Sequence, residues 1–328
     1  MPSHRFDVLA MGDAIVDVIA TCDDDFLRAQ DLPKGSMQLL EPAAADRLYA
    51  AMGSARETSG GSAANSMAGL AAMGGRAAFV GQVANDQLGA IFAHDMRALG
   101  VSFETPAVDA GLPTGRCLIL VTPDAQRTMN TCPGASHLLA PQALDEALIR
   151  GSRTLMLEGY LFGPELPRAA QLKAVEIAHA AGNQVAFTLS ESVCLAGRKD
   201  GFMGLIESGG VDLLFANEDE VCQLTGAADL DGAVAALGRH VPTLIVTRGA
   251  AGATAIEGGT RTDHPAVPVQ QLVDTTGAGD LFAAGVLAAR VKGYGIDRQL
   301  LTGAIAAAEV ISHFGARPLA DLKELVKL

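Results

Sequence analysis

The apolar residues of this chain come in short runs cut by glycine, proline and acidic positions, and the period inside each run sets the element it predicts. Phe6–Met11 (FDVLAM) is mostly apolar and stops at Gly12, which reads as a first buried strand. Ile15–Thr21 alternates around Asp17 like a half-exposed strand. Met37–Glu41 is a third short strand, and Pro42–Met52, with proline at its start, predicts a helix. Gly60-Gly61 opens an alanine-rich helix over Ser62–Met73, which Gly74-Gly75 stops. Ala77–Gly81 reads as a strand and Asp86–Leu99 as a helix ended by Gly100. Cys117–Val121 and Arg127–Thr131 read as strands around a Pro123-Asp124 turn; their polar surroundings set them apart from a central sheet.

From residue 150 the alternation becomes regular. Strand Thr154–Glu158 leads to helix Pro164–Ala181, strand Gln184–Leu189 to helix Lys199–Glu207, and strand Asp212–Ala216 to helices Glu218–Leu224 and Asp231–Arg239. Strands Thr243–Thr247, Ala253–Glu257 and Arg261–Pro265 follow, then helices Asp280–Lys292, Asp297–Phe314 and Leu319–Lys327. This order predicts an α/β fold in three α/β/α layers, a mostly parallel sheet covered on both faces, with ligands at the carboxyl ends of its strands. No repeat, low-complexity segment or long linker interrupts the pattern. The expectation is one domain over residues 1–328, with a small β-sheet lid built from segments near 15–22, 36–41, 102–107 and 115–132.

Composition narrows what such a fold can bind. Hydrophobic residues make up 49% and aromatics 4%, with no tryptophan, so the core must come from Ala, Leu, Val and Ile. The formal charge of −13 repels nucleic acid and anionic membranes. A nucleotide can still bind if backbone amides, a few basic groups and a metal offset that field locally. The five cysteines are odd in number and lack C-x-x-C spacing, so neither a disulfide framework nor a zinc site is suggested. Asp7, Asp13 and Asp17 break the N-terminal apolar stretch, arguing against a signal peptide, and no apolar run reaches the ~18 residues of a membrane span. A cytoplasmic protein with reduced thiols is expected.

The chemistry concentrates in Asp274-Thr275-Thr276-Gly277-Ala278-Gly279-Asp280, followed at once by the apolar helix LFAAGVLAARV. A Gly-Ala-Gly turn bares successive N–H groups, and the helix behind it adds unpaired amides and the positive end of its dipole. Together they suit the charge that builds on a transferring phosphoryl group. Asp280, on the first turn, is placed to take the proton of an attacking hydroxyl. Taken alone, it can equally be a helix cap after a glycine-rich loop. Gly60-Gly61 lets backbone approach a ligand, and Asn65 can donate to and accept from a sugar hydroxyl. Asn217-Glu218-Asp219-Glu220 is either an acid-rich helix start or a place for a hard cation. No G-x-x-x-x-G-K-[ST] occurs, and the first strand turn, Gly12-Asp13-Ala14-Ile15, lacks the G-x-G-x-x-G of nicotinamide-dependent oxidoreductases.

DTTGAGDLFAAGVL resembles the C-terminal signature of the ribokinase-like (PfkB) kinases, a family that includes ribokinase, fructokinases and adenosine kinases, and Gly60-Gly61-Ser62-Ala63-Ala64-Asn65 resembles its N-terminal signature. The resemblance implies an ATP- and Mg²⁺-dependent kinase of ribokinase-like fold acting on a sugar or nucleoside hydroxyl. It makes Asp280 the catalytic base and Gly277, Ala278 and Gly279 the anion hole. Asp17 would hold sugar hydroxyls, together with Asp13, Gly60, Gly61, Asn65 and Glu158. Asn217 and Glu220 resemble the family's N-x-x-E motif, whose glutamate holds Mg²⁺ through water. Thr247, Gly249 and Gly252 resemble its T-x-G-x-x-G nucleotide turn, and Thr276 completes the nucleotide side. A monovalent cation such as K⁺ is implied between Asp274–Thr276 and His313–Arg317, and a homodimer through the lid.

The acceptor is less determined. GGSAAN with GDAIVD and the Glu158-Gly159-Tyr160 turn looks closer to the adenosine-kinase-like branch, which places a nucleoside slightly ahead of a free sugar. Tyr160, Phe162, Phe103 and Met37 can stack on a base or simply pack the core or lid. Arg127 and Asn130 either face the substrate or belong to a solvated lid face. A non-catalytic nucleoside- or sugar-binding regulator on the same fold is the alternative from another class.

Overall fold

The computed structural model describes residues 4–124 and 126–328. Among these, fourteen strands form two sheets. In chain order they are β1 (Phe6–Met11), β2 (Ile15–Thr21), β3 (Met37–Leu39), β4 (Ala55–Gly60), β5 (Ala77–Val80), β6 (Val101–Phe103) and β7 (Gly115–Val121). Then come β8 (Arg127–Cys132), β9 (Ser152–Glu158), β10 (Gln184–Thr188), β11 (Leu213–Asn217), β12 (Thr243–Thr247), β13 (Ala253–Glu257) and β14 (Thr260–His264). The large sheet runs β14-β13-β12-β11-β10-β9-β1-β5-β6, parallel except where β13 pairs with β12 and β14. The small sheet runs β3-β8-β7-β2-β4.

Alternation decides which face each side chain takes. On one face of the large sheet Ala10, Phe79, Met156, Phe215 and Ile245 pack beneath helices Ser62–Ala72, Ala278–Val291 and Ile296–Val310. On the other, Leu9, Leu155, Phe187, Leu214 and Val246 pack against helices Glu165–Ala180, Lys199–Glu207 and Glu218–Thr225. In the small sheet Val16, Val18, Leu118 and Leu120 turn into the core, while Ile15, Asp17, Cys117 and Ile119 face the other way.

Two features of the small sheet differ from expectation. The 102–107 segment does not join it: Val101–Phe103 pairs parallel with β5 as the edge of the large sheet, and Phe103 sits in a ring cluster with Phe79 and Phe92. A three-residue strand is too short for its period to be read, and burial of one large ring decides its place. Its fifth strand is β4, ARETSG, whose polar sequence carries no strand pattern and which pairs antiparallel with β2 as an edge. β4 delivers the chain into Gly60-Gly61, where the small sheet meets helix Ser62–Ala72. Gly61 has φ +91°, and a Cβ there would lie 2.3 Å from the Asp13 carbonyl oxygen, so only glycine fits this joint.

The helix expected from Asp280 starts at Ala278, with Gly277 at its N-cap in the left-handed region (φ 78°). The helix expected to reach Phe314 ends at Val310, which frees the following residues to fold over the Asp274 turn. No helix among the described residues is long and apolar enough to cross a membrane.

Candidate active site

A cleft of about 560 Å³ opens between the carboxyl ends of the large sheet and the outward face of the small one. Its floor is the Thr275–Asp280 turn. The Asp274 carboxylate shapes this turn by accepting from Thr276 N at 3.0 Å, Thr276 Oγ1 at 2.7 Å and Gly315 N at 2.9 Å. Arg127 of β8 crosses from the small sheet to donate to Asp274 at 2.6 Å and also meets the Thr276 hydroxyl. These bonds hold the Asp274 carboxyl below its usual range, against the upward push of burial. The N–H groups of Gly277, Gly279 and Asp280 have no partner among the described residues, as expected for a helix start.

Asp280 is held at both oxygens. Ser62 Oγ donates to one at 2.6 Å and Asn65 Nδ2 to the other at 2.9 Å. Ser66 Oγ donates to the Asp280 carbonyl at 3.0 Å. Ser62, Asn65 and Ser66 share the first turns of one helix, so the N-terminal glycine motif builds the socket for the C-terminal aspartate. Burial pushes the Asp280 carboxyl up, and the two donated bonds and Arg317 pull it back.

Asp17 points into the cleft from β2, against Gly60. Burial raises its carboxyl to about 6, with Arg317 and Arg127 opposing and Asp280 adding. Around it Ile15, Met37, Cys117, Ile119 and Met129 form an apolar wall. Asp13 also lines the cleft, 6% exposed, with its Oδ1 buried and unpartnered among the described residues. Burial raises its carboxyl, and His137 lies close enough to oppose that.

At the nucleotide end, Asn217 caps helix Glu218–Thr225 in a full capping box with Glu220. Both Glu220 oxygens accept from Asn217, at 2.9 Å from its N and 2.8 Å from its Nδ2, yet both residues and Thr247 line the cleft. Burial raises the Glu220 carboxyl to about 6, and the nearby Glu191 adds to this. Among the described residues no three His, Cys, Asp or Glu side chains gather as direct metal ligands.

The cleft thus gathers Asp13, Asp17, Gly61, Asn65, Asn217, Glu220, Thr247, Thr276, Gly277, Ala278, Gly279 and Asp280. Four expected site residues stay outside its lining. Glu158 is wholly buried and accepts from the Asp13 and Ala63 amides at 2.6 and 2.7 Å, so the ligand that repays its burial is backbone. Gly60 backs the Asp17 carboxylate, at 2.5 Å from where a Cβ would stand. Gly249 lies in the turn after β12, and Gly252 (φ +92°) closes that turn against His264 and Ala266. Among the candidate stacking rings, Phe103 and Phe162 belong to buried aromatic clusters, while Tyr160 and Met37 line the cleft. Asn130 is buried inside the small sheet, donating to the Leu118 and Thr128 carbonyls. Ser62, His137 and Arg317 were not singled out from the sequence. Ser62 sits within the glycine motif; His137 lies in a stretch without a pattern, and Arg317 was named only as the end of the segment implied for a monovalent cation.

Comparison with known proteins agrees with this geometry. The family model described as pfkB family carbohydrate kinase matches residues 8–322. The crystal structure of a probable sugar kinase protein from Rhizobium etli CFN 42 shares 40% identity, covering 99% of this chain and 98% of that one, with a TM-score of 0.92. That of adenosine kinase from Sinorhizobium meliloti shares 43% identity over 98% and 99%, with a TM-score of 0.91. A 5-dehydro-2-deoxygluconokinase of Shouchella clausii is 27% identical over 99% of this chain and 95% of its own length. Signatures, fold and whole-length similarity converge: this chain belongs to the pfkB carbohydrate kinase family and is a phosphotransferase with an alcohol group as acceptor.

Proposed function

We propose that the enzyme phosphorylates a nucleoside such as adenosine at its primary, 5′-type hydroxyl. The observation that carries this reading is the wall of Ile15, Met37, Cys117, Ile119 and Met129 around Asp17. A heterocycle suits apolar surroundings while Asp17 accepts from the ribose hydroxyls. A free hexose presents hydroxyls on every side and would bury several without partners. Tyr160, its hydroxyl fixed on Glu191 at 3.1 Å, also lines the cleft.

In this reading Asp280 is the general base. Ser62 and Asn65 fix its carboxylate, and its raised affinity for protons makes it a better base than a solvated aspartate. As the acceptor oxygen attacks, charge on the transferring group meets the free amides of Gly277, Gly279 and Asp280, with the helix dipole behind them. Family membership implies ATP with Mg²⁺, and the residues present fit both. Thr247, Thr276 and Asn217 line the nucleotide end, and Glu220 retains lone pairs for metal-bound water. Bound Mg²⁺ supplies neutralisation of the triphosphate charge. The Asp274–Gly315 bond brings together the two segments whose carbonyls would hold a monovalent cation.

A sugar acceptor is the second reading, favoured by the unpartnered Asp13 Oδ1, which offers a place for one more hydroxyl. An ADP-release assay over adenosine, other nucleosides, ribose, fructose and ketodeoxysugars separates the two. The highest kcat/KM is expected for adenosine; a higher value for any free sugar overturns the nucleoside reading.

A further inference from the structure

Arg317 ends the His313–Arg317 segment that the resemblance implied for a monovalent cation, yet its side chain touches both supports of the site. Its Nη1 donates to the Ala64 carbonyl at 2.7 Å, and its Nη2 to Ser59 O at 3.0 Å and Ser59 Oγ at 3.1 Å. Ser59 is the next-to-last residue of β4, immediately before Gly60, on which the Asp17 carboxylate rests. Ala64 lies between Ser62 and Asn65, the two residues that hold Asp280. One guanidinium therefore grips both sides of the Gly60-Gly61 joint. Its fork geometry permits this, and a point charge would not. Asp95 completes the clamp by accepting from Ser59 N at 3.0 Å.

We propose that Arg317 is a positioning residue for phosphoryl transfer, locking β4 to helix Ser62–Ala72 and setting a positive charge behind Asp17 and Asp280. The charged and titratable groups facing one another here come from several elements. Asp17, Asp280 and Asp95 act on Arg317; Arg317, Arg127, Asp280 and Cys117 surround Asp17; Asp17, Glu158, Tyr160 and Arg317 surround Asp280. Of the cations, Arg317 pulls hardest on Asp17 and is the one that acts on Asp280. Removing it raises both carboxyls further, so activity that needs them ionised must shift to higher pH. Arg317 itself is drawn down to about 10 by burial and stays protonated at neutral pH.

The proposal rests on Asp280 as base, and the assay separates the two claims. The wild-type enzyme and Asp280→Asn are first measured on whichever panel acceptor turns over best. Retained turnover in Asp280→Asn sinks the base itself. The pH dependence of kcat/KM is then compared for wild type, Arg317→Gln and Arg317→Lys. Arg317→Gln is expected to lose about 10–100-fold in kcat/KM and to move its acid limb up by about 0.5–1 pH unit. Arg317→Lys keeps the charge but not the fork; its limb stays in place while kcat/KM falls at least about fivefold. A folded Arg317→Gln with an unmoved limb overturns the proposal. If the Gln variant does not fold, Arg317→Lys decides alone: a displaced limb or an unchanged kcat/KM overturns it.

Discussion

Gly277 and Gly279, on either side of Ala278 in the Asp274–Asp280 turn, should fail in opposite ways when changed to alanine. Gly277 has φ 78°, and a Cβ on it would lie 2.7 Å from the Ala316 Cβ and 2.9 Å from its Cα. A left-handed alanine costs about 1–2 kcal/mol, and the overlap, much of it with backbone, about 1–3 more. Gly277→Ala should therefore lose on the order of 3 kcal/mol, a large part of a typical stability of about 5–15. The melting temperature should fall by roughly 5–10 °C. Gly279 has negative φ, and a methyl added to it would meet nothing within 4 Å, because it would stand in the cleft. Gly279→Ala should melt within about 2 °C of wild type, since alanine is if anything the better helix former. Yet a methyl where the phosphoryl group must approach the amides should lower kcat about 100-fold, the scale of losing one oxyanion donor. Thermal melting and steady-state ADP release on the two variants make the comparison. Wild-type kcat in Gly279→Ala would refute the placement of the transferring group over this turn.

Asp280→Asn should lower kcat by about 10²–10⁴ with nucleotide binding retained, checked by steady-state kinetics and nucleotide titration. Glu220→Gln can keep only one of the two bonds accepted from Asn217 and removes the charge; the Mg²⁺ concentration for half-maximal rate should rise several-fold, and an unchanged magnesium response counts against its role. Asp17→Asn should raise stability while weakening acceptor binding. The folded carboxyl sits at about 6 against an ordinary 3.8, so the folded state binds its proton more tightly than the unfolded one. Stability therefore falls as pH rises from about 4 to about 6, and the full penalty, on the order of 3 kcal/mol, is present above that window. The variant should melt higher than wild type at pH 7.5 and level with it at pH 4; equal melting at both refutes the reasoning.

The turn at the cleft floor was legible in the sequence because its parts are contiguous. Gly277, Ala278 and Gly279 present backbone, and Asp280 follows them on the same turn, so one short stretch brings the proposed anion hole and base together. The large sheet was legible because each parallel strand of its second half is a buried apolar run. The small sheet was only partly so. β4 owes its place to pairing with β2 rather than to its own pattern, and Phe103 owes its place to two distant rings. Glu158 shows the limit of reasoning from burial. A carboxylate at a strand end does need partners, but the Asp13 and Ala63 amides that satisfy it come from two other parts of the chain. Arg317 was named only as the end of a segment implied for a monovalent cation; its side-chain role had no signal, since its bonds go to carbonyls more than 250 residues away.

The division of labour in the cleft follows from what a base near a phosphate requires. A lysine or arginine placed among the Gly277–Asp280 amides would hold the phosphoryl charge well. It would also drag the Asp280 carboxyl down by about 1–3 units and spoil its appetite for a proton. Amides hold the same charge as partial dipoles rather than as a full cation, so their downward pull on Asp280 is smaller. Burial pushes the proposed base the other way, toward holding its proton more tightly. Ser62, Asn65 and Arg317 act against burial at Asp280, and Arg127, which also meets the turn, is paired with Asp274. In the proposed mechanism a chain of net charge −13 in this way binds an anion and still keeps a working carboxylate beside it.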